Sequence, residues 1–487
     1  MLLTIDIGTS AFKSALWDYN GNRVSYAAVS LSAGIIDSVK HEADPTQWLS
    51  AFEQCCRKLG NLKQTEAIII SGNGPTLVPV LESSQAQDSK FRTGVSGANH
   101  SLLPHPSFFA SSALLWLDRR AVKYQSAVSE VMGGFVDAGF FLPKILAIKN
   151  DENELYNRTK FFLGCPEYLA WALTGEARNV FPAEGFDRWF WNDAVLEKLD
   201  LDKSKFPVFI RPGEPFGLLA PKPAEYYGFS KSIPVISGGP DFFASVLGAG
   251  VTEPGQACDR TGSSEGINLC TEKRVNDSRL MSYGHPVKPW WNLSGIINTT
   301  GKAIDWGGNL LGLNTFDDFI VLAKESVPGS GSLVFLPYLA GERAPVWNPS
   351  VRALWSGISL SSVRCDFANS ILEGISFAIR DVLSVMEETG EKAGQLRVTG
   401  RLAGCSALNQ IKADITGIEI LEGEHKGAEL LGLAIIGSCA LGKFSSYKEA
   451  SDALCRIERR YEPDAKNKNI YDELFDNYKI MRRRVIE

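Results

Sequence analysis

The stretch that decides the fold is "LLTIDIGTSAFKSALWDYNG", residues 2–21, at the start of the chain. "LLTIDI" has the composition of a buried strand, and "FKSALWDY" alternates like a second strand that ends at the hairpin turn Asn20-Gly21. A buried strand does not normally end in an acid, a glycine and two hydroxyls unless they hold something. The residues in question are Asp6, Gly8, Thr9 and Ser10.

The segments that follow continue a mixed pattern of strands and helices. Residues 24–31, "VSYAAVSL", read as a third strand, and residues 44–60 have helical spacing after an Asp-Pro start. Residues 66–71, "EAIIIS", read as a short buried strand that runs into the glycine-rich loop "GNGPT". This order predicts an α/β fold.

A second region repeats the design of the first. Residues 255–273, "GQACDRTGSSEGINLCTEK", again read as strand, turn and strand, with Thr261, Gly262, Ser263 and Ser264 at the turn. A chain of 487 residues is also too long for one compact core. We therefore predict two domains of similar construction, residues 1–243 and residues 244–487, with a Pro/Gly-rich, loop-like segment at 212–228 before the boundary.

Composition and charge limit the function classes. The net charge is −6 and the isoelectric point is near 5.6, which argues against nucleic-acid or membrane-surface partners. We expect no signal peptide, because Asp6 interrupts the first apolar stretch, and the longest apolar run, at 430–441, is too short to span a bilayer. The five histidines and nine cysteines show no metal-ligand spacing. We therefore expect a cytoplasmic protein with reduced thiols.

The two turns have the chemistry of phosphate sites. A tight turn directs backbone N–H groups into one concavity, glycine permits close approach, and hydroxyls add donors. Asp6 can orient Mg²⁺ waters beside such a cradle, although a hairpin can also use these residues for backbone reasons alone. Asp241 opens a predicted helix, where it can act as an N-cap or accept a proton from a substrate hydroxyl.

A long signature places these turns in a known family. Residues 335–383 carry a "PYL-GER-P" run, then a small residue and "GI", then an acid and "LEG". This stretch resembles the C-terminal signature of the FGGY carbohydrate kinases, members of the actin/Hsp70/hexokinase ATPase superfamily. Further segments at 41–49, 114–121 and 165–179 resemble the same family, and the overall pattern is xylulokinase-like.

The resemblance implies both a fold and a reaction. The fold would be two ribonuclease-H-like domains flanking a deep cleft, with sugar bound by the first and nucleotide mainly by the second. The reaction would transfer the γ-phosphoryl of ATP, with Mg²⁺, to a hydroxyl of a ketose or polyol, xylulose first. Glycerol, ribulose, a deoxyketose or gluconate are alternative acceptors, and a non-catalytic sugar or nucleotide sensor is an alternative function. A homodimer is an expectation of the family alone.

The resemblance also assigns roles by position. Asp241 would be the general base, and Asp6 and Asp241 would lie at the metal. The predicted phosphate and nucleotide residues are Gly8, Thr9, Ser10, Lys13, Gly262, Ser263, Ser264, Gly400, Ala403 and Asn409. The predicted sugar-binding residues are Asn73, Trp116, Asp118 and Asp241.

Three departures from the family pattern stand out. Arg401 and Leu402 replace two glycines of the adenosine-binding run, which predicts altered packing against the nucleotide. Residues 73–75, Asn-Gly-Pro, stand where xylulokinases tend to have Gln-Met-His. Residues 84–112 form an enlargement that either decorates the surface or closes over the substrate.

For Trp116 and Asp118, the alternatives to sugar binding are a core aromatic and a surface acid, respectively.

Overall fold

The computed structural model describes residues 1–32, 34–35, 39–82, 108–230 and 233–486. Its strands are β1 (Leu2–Ile7), β2 (Ala11–Trp17), β3 (Arg23–Ser30), β4 (Gly34–Ile35), β5 (His41–Ala43), β6 (Ala67–Gly72), β7 (Leu77–Glu82), β8 (Phe108–Ala110), β9 (Ala113–Leu114), β10 (Thr159–Gly164), β11 (Asn179–Val180), β12 (Phe209–Ile210), β13 (Pro215–Leu218), β14 (Pro234–Pro240), β15 (Gln256–Thr261), β16 (Glu265–Thr271), β17 (Met281–Gly284), β18 (Trp291–Ile297), β19 (Val334–Leu336), β20 (Leu354–Ser356), β21 (Gln395–Gly400), β22 (Glu419–Gly423) and β23 (Ile457–Tyr461).

The helices alternate with these strands along most of the chain. They are α1 (Thr46–Leu59), α2 (Gln125–Met132), α3 (Phe141–Asp151), α4 (Asn153–Arg158), α5 (Cys165–Thr174), α6 (Asp193–Lys198), α7 (Pro221–Tyr227), α8 (Asp241–Gly248), α9 (Gly301–Leu310), α10 (Phe316–Ala323), α11 (Arg364–Glu388), α12 (Ser406–Thr416), α13 (Ala428–Ala440), α14 (Tyr447–Leu454) and α15 (Lys468–Ile486), with short 3₁₀ turns at Val122–Tyr124, Lys203–Lys205 and Ser330–Ser332.

The chain divides into two compact units. The first contains residues 1–244 and 429–454, and the second contains residues 245–428 and 455–487. This division reflects how the chain packs, and it does not show which ligand either unit binds. The predicted sugar and nucleotide domains, 1–243 and 244–487, therefore stay a prediction.

The main sheet of the first unit has the strand order β13-β14-β6-β1-β2-β3. Strands β1, β2 and β3 form an antiparallel meander, and β6 and β14 add to it in parallel on the other side of β1. Strand β1 is buried along its whole length, and its residues Leu3, Ile5 and Ile7 belong to the main core of this unit. A second sheet, β10-β7-β9-β5-β4 with β8 paired to β7, and the two-stranded sheet β11-β12 belong to the same unit.

The second unit repeats this arrangement. Its sheet has the order β17-β18-β16-β15-β21-β22-β23, in which β15, β16 and β18 are antiparallel and β21 and β22 continue in parallel from β15. The long helix α11 packs in the core against this sheet through Ile371, Ile375 and Val382. The mixed α/β prediction and the two-sheet design are confirmed, and the cleft between the domains stays a prediction.

One local prediction is wrong. Residues 212–228 are not a loop, because they contain the edge strand β13 and the helix α7. Proline is tolerated on an edge strand. Pro221 opens α7, where a missing N–H costs nothing, and Gly228 ends it in the left-handed conformation. Most of the enlargement at 84–112, up to residue 107, lies outside the described residues. Within the described ranges, no helix has the length and apolar character needed to cross a membrane.

Candidate active site

In the first unit, three predicted site residues lie at the carboxyl ends of three neighbouring parallel strands. Asp6 lies near the end of β1, Asn73 directly follows β6, and Asp241 directly follows β14. The register pairs Ile7 with Gly72, and Gly72 with Pro240, so the three strands end at the same edge of the sheet. Ligands of open α/β sheets bind at the carboxyl ends of such strands.

The first hairpin brings an acid and an ammonium group together. Asp6 pairs with Lys13 across β1 and β2, and Lys13 Nζ lies 3.4 Å from Asp6 Oδ2. Burial raises the pKa of Asp6 to about 7, Lys13 opposes this rise, and the charges of Glu429 and Asp241 add to it. The carboxylate of Asp6 in turn raises the pKa of Lys13. The predicted phosphate residue Lys13 therefore lies beside the predicted metal residue.

The surroundings of Asp6 fit a divalent cation. The charges of Asp241 and Glu429 both act on Asp6, and Lys13 is its positive neighbour. Carboxylates therefore outnumber this ammonium group. Among the described residues, no three His, Cys, Asp or Glu side chains are grouped closely enough to hold a metal by themselves. Mg²⁺ does not need such a cage, because it usually takes one or two carboxylates together with waters and substrate phosphates.

The turn after β1 depends on glycine and is tied to a tryptophan. A Cβ on Gly8 would lie 2.9 Å from the carbonyl oxygen of Ala11, so a side chain cannot enter without moving backbone. Trp116 Nε1 donates to Thr9 Oγ1 at 3.1 Å. Thr9 is half-buried, whereas Ser10 is exposed. The predicted sugar residue Trp116 thus contacts the predicted phosphate turn directly.

Asp241 begins α8 after a tightly packed glycine pair. A Cβ on Gly238 would lie 2.2 Å from Leu433 Cδ2, and Gly239 has a φ of +71°. The N–H of Phe242 donates to Asp241 Oδ1 at 2.6 Å. Asp241 is half-buried. Its position at the first turn of a helix is as the sequence predicts, and its role as base stays a prediction.

Asn73 uses its side chain within the fold. Its Nδ2 donates to the carbonyl oxygen of Ile7 at 2.9 Å, and its Oδ1 accepts from Thr76 Oγ1 at 2.5 Å. These bonds attach the loop after β6 to the end of β1. An amide has a second N–H and a second lone pair. The predicted contact to a sugar hydroxyl therefore stays a prediction.

Asp118 is not a surface acid. Its side chain is completely buried and accepts from the N–H of His41 at 2.9 Å and from Arg120 through Nε at 2.9 Å and Nη2 at 2.9 Å. The alternative of an exposed carboxylate is therefore wrong, because Arg120 neutralises the buried charge. Trp116, in contrast, is half-buried rather than a core aromatic. Direct sugar contacts of both residues stay predictions.

In the second unit, the turn between β15 and β16 is held by a helix N-terminus. The N–H of Gly301 donates to the carbonyl oxygen of Gly262 at 3.0 Å, and the N–H of Thr300 donates to that of Ser263 at 3.1 Å. A Cβ on Gly301 would lie 2.3 Å from the Gly262 oxygen. The carbonyls of the predicted phosphate turn therefore point toward α9.

The segment after β21 contacts the same hairpin. Thr261 Oγ1 accepts from the N–H of Leu402 at 2.9 Å, and the N–H of Arg401 donates to the Thr261 carbonyl at 3.0 Å. Gly400 has a φ of +98°, and a Cβ there would lie 2.1 Å from the Thr261 oxygen. Asn409 is completely buried and donates to the Ala403 carbonyl at 2.8 Å. The structure thus brings Gly400, Ala403 and Asn409 together beside the second turn.

The two residues that replace glycines have partners inside the second unit. Leu402 is 2% exposed and belongs to the core of this unit, next to the completely buried Ala403. Arg401 pairs with Asp305 on α9 at 3.0 Å. Altered packing against the nucleotide stays a prediction, but both side chains have a clear place in the fold.

The sequence interpretation missed several charged residues close to these segments. Lys144 and Lys412 are completely buried, and Glu429 lies in the first turn of α13 within electrostatic reach of Asp6. A signal existed for Lys144, which is a single cation inside the apolar run "LPKILAI" of α3. No local pattern marks Glu429, because its neighbour Asp6 is more than four hundred residues away.

Comparison with known proteins decides the family. The model of the FGGY carbohydrate kinase N-terminal domain matches residues 110–248, and that of the C-terminal domain matches residues 260–441. The chain belongs to the FGGY family of carbohydrate kinases. It is therefore a phosphotransferase with an alcohol group as acceptor.

Individual relatives cover the whole chain. The xylulose kinase of Staphylococcus epidermidis is 26% identical over 503 residues, which is 99% of this chain and 96% of the relative. The crystal structure of gluconate kinase from Lactobacillus acidophilus superposes with a TM-score of 0.85 at 21% identity, covering 100% of this chain and 98% of that one. Ligand-bound xylulose kinase from the same organism gives 0.84 at 22%, covering 99% and 98%. These structural likenesses confirm the predicted fold class.

Proposed function

We propose that this FGGY kinase transfers the γ-phosphoryl group of ATP to a hydroxyl of a ketose or polyol, with xylulose as the leading acceptor. The observation that carries the proposal is the alignment of Asp6, Asn73 and Asp241 at the ends of three adjacent parallel strands. The full-length similarity to a xylulose kinase supports xylulose as the acceptor to try first.

In this proposal the predicted catalytic, phosphate-binding and metal-binding residues of the first unit have separate roles. Asp241 accepts the proton of the attacking hydroxyl, and Lys13 with the Gly8–Ser10 turn binds phosphate oxygens. Mg²⁺, when bound on the Asp6 side, supplies charge neutralisation for the phosphates. The Gly262–Ser264 turn and the Gly400–Ala403 segment of the second unit bind the nucleotide.

The first experiment measures ADP release with ATP and Mg²⁺ across xylulose, ribulose, a deoxyketose, glycerol and gluconate. We expect strong release with one acceptor, xylulose first, and loss of that release in Asp241→Asn. Release that survives in Asp241→Asn would remove Asp241 as the base. If ATP binds but none of the acceptors causes ADP release, the result would favour a sugar or nucleotide sensor. Light scattering of the same sample tests the homodimer.

A further inference from the structure

Lys144 lies in an unusual environment on α3. Its side chain is completely buried, as are the apolar side chains of Leu142 and Ile145 on the same helix. Burial of an ammonium group is costly unless polar partners replace its water. Among the residues that the structure describes, no carboxylate lies within ion-pair distance of Lys144. The side chain must therefore be held by something other than an opposite charge.

Backbone carbonyl oxygens take that place. Lys144 Nζ donates to the carbonyl of Leu115 at 2.7 Å, to that of Pro75 at 2.8 Å and to that of Leu114 at 3.3 Å. An ammonium has three N–H donors, so the number of donors matches the number of acceptors. The contacts join two segments that are far apart in sequence.

Both segments carry predicted acceptor-binding residues. Pro75 lies two residues after Asn73, in the loop that follows β6. Leu115 directly precedes Trp116, which contacts Thr9 of the first phosphate turn. The Lys144 ammonium therefore joins the Asn73 loop to the Trp116 segment through side-chain contacts, next to the backbone pairing of Leu77 with Leu114.

The electrostatic surroundings leave this ammonium sensitive to pH. Burial lowers the pKa of Lys144 to about 7; the carboxylates of Asp118 and Asp137 oppose this shift, and the guanidinium groups of Arg119 and Arg120 add to it. A neutral amine has only two N–H donors for three carbonyls. Loss of the proton would therefore remove one of the three contacts and weaken the connection between the two segments.

We propose that Lys144 is a positioning residue of the acceptor site, whose ammonium fixes the Asn73 loop against the Trp116 segment. The inference rests on the proposed function, because it assumes that these two segments bind the acceptor. It predicts that changes at Lys144 affect binding of the acceptor more than binding of the nucleotide.

The test compares Lys144→Met with a matched control in the same unit. Lys205 is also a buried lysine that donates to backbone carbonyls, those of Thr159 at 2.6 Å and Asn157 at 3.5 Å, but it touches neither segment. We expect Lys144→Met to raise KM for the acceptor by about tenfold or more, with KM for ATP nearly unchanged. Lys205→Met should change neither KM. An equal acceptor KM in the two variants would overturn the proposal, as would an equal rise in both KM values for Lys144→Met.

A second variant covers the case in which Lys144→Met does not fold. Arginine keeps its charge throughout the working range. We expect the acceptor KM of the wild type to rise from about pH 6.5 to about pH 8.5, and that of Lys144→Arg to stay flat. Parallel profiles would overturn the proposal. Calorimetric binding of xylulose replaces KM if no phosphoryl transfer occurs, so that failure of the kinase proposal and failure of the Lys144 proposal are distinguished.

Discussion

Each of the two compact units contains a completely buried lysine. The partners of one lysine are neutral carbonyl groups, and those of the other are carboxyl groups. Lys144 in the first unit donates to three neutral carbonyls, whereas Lys412 in the second unit contacts Asp259 Oδ2 at 2.6 Å and Glu265 Oε1 at 2.5 Å. At both ammonium groups, burial by itself acts to lower the pKa. The carboxylates outweigh it at Lys412, whose pKa is raised, while that of Lys144 falls to about 7.

The difference teaches that the charge of the neighbours, rather than burial, decides whether a buried lysine keeps its proton. Lys412 lies on α12 and contacts both strands of the hairpin that forms the second predicted phosphate turn. This hairpin is therefore held by a lysine that keeps its charge at neutral pH. The loops of the first unit rest on a lysine that titrates near neutral pH. We therefore expect pH to affect binding of the acceptor more than binding of the nucleotide.

The largest expected effect is that of Lys412→Met on stability. Removal of the ammonium leaves the buried carboxyl groups of Asp259 and Glu265 without their positive partner, which costs about 3–5 kcal/mol of the free energy of unfolding. Denaturant unfolding of the purified protein measures this loss. Glu265→Gln should cost much less, about 1 kcal/mol, because burial and the neighbouring Asp259 already raise the pKa of Glu265 well above its ordinary value.

An exposed pair provides the control for Lys412. Lys448 and Asp452 lie 2.6 Å apart on the surface of α14, with side chains 41% and 57% exposed. Lys448→Met should cost at most about 1 kcal/mol, because water screens such pairs. If Lys412→Met and Lys448→Met cost the same, the buried lysine is not the support that we describe.

The next effect is a pH dependence of stability from Lys144. Its pKa is about 7 in the folded chain and near 10.5 in the unfolded chain, so the unfolded chain holds more protons between these values. The contribution of this group to stability therefore increases as pH rises from about 7 and is lost as pH falls through 7.

Unfolding measurements of the wild type and Lys144→Met between about pH 7 and about pH 9 test this sign. We expect the difference in the free energy of unfolding to change in favour of the wild type as pH rises. Lys412 gives the comparison, since its raised pKa predicts no change over the same range. If the difference in the free energy of unfolding between the wild type and Lys144→Met does not change with pH, the pKa of Lys144 is not lowered in the folded chain.

The smallest expected effect concerns Arg401 on the nucleotide side. Its pair with Asp305 is half-exposed, so Arg401→Ala should lower the free energy of unfolding by less than about 1 kcal/mol. If Arg401 is held by Asp305 rather than by the nucleotide, KM for ATP stays close to the wild-type value. A large rise in KM for ATP would instead place the guanidinium at the nucleotide.

The hairpins could be predicted from the sequence because their signals are local. Alternating apolar residues, the Asn20-Gly21 turn and the acid before Gly8 all lie within twenty residues. The position of Asp241 at the start of a helix has the same origin. The paired sheets then follow from the repetition of this design at residues 255–273.

The other features depend on partners that are distant in sequence. Lys144 and Pro75 are 69 residues apart, and Lys412 and Asp259 are 153 residues apart. The return of residues 429–454 to the first unit spans a still longer separation. A single sequence gives no physical signal for which carbonyl a buried lysine meets. For the same reason the sequence could not show that Asn73 uses its amide on Ile7 and Thr76.

The central claim is that Asp241 takes the proton of the acceptor hydroxyl. Its most direct test is a single-turnover measurement of the phosphorylated acceptor by mass spectrometry, in the wild type and in Asp241→Asn, at saturating ATP, Mg²⁺ and acceptor. We expect a rate lower by about 10²–10⁴-fold in Asp241→Asn, with acceptor and nucleotide binding retained. A variant that forms the phosphorylated acceptor at the wild-type rate would contradict it.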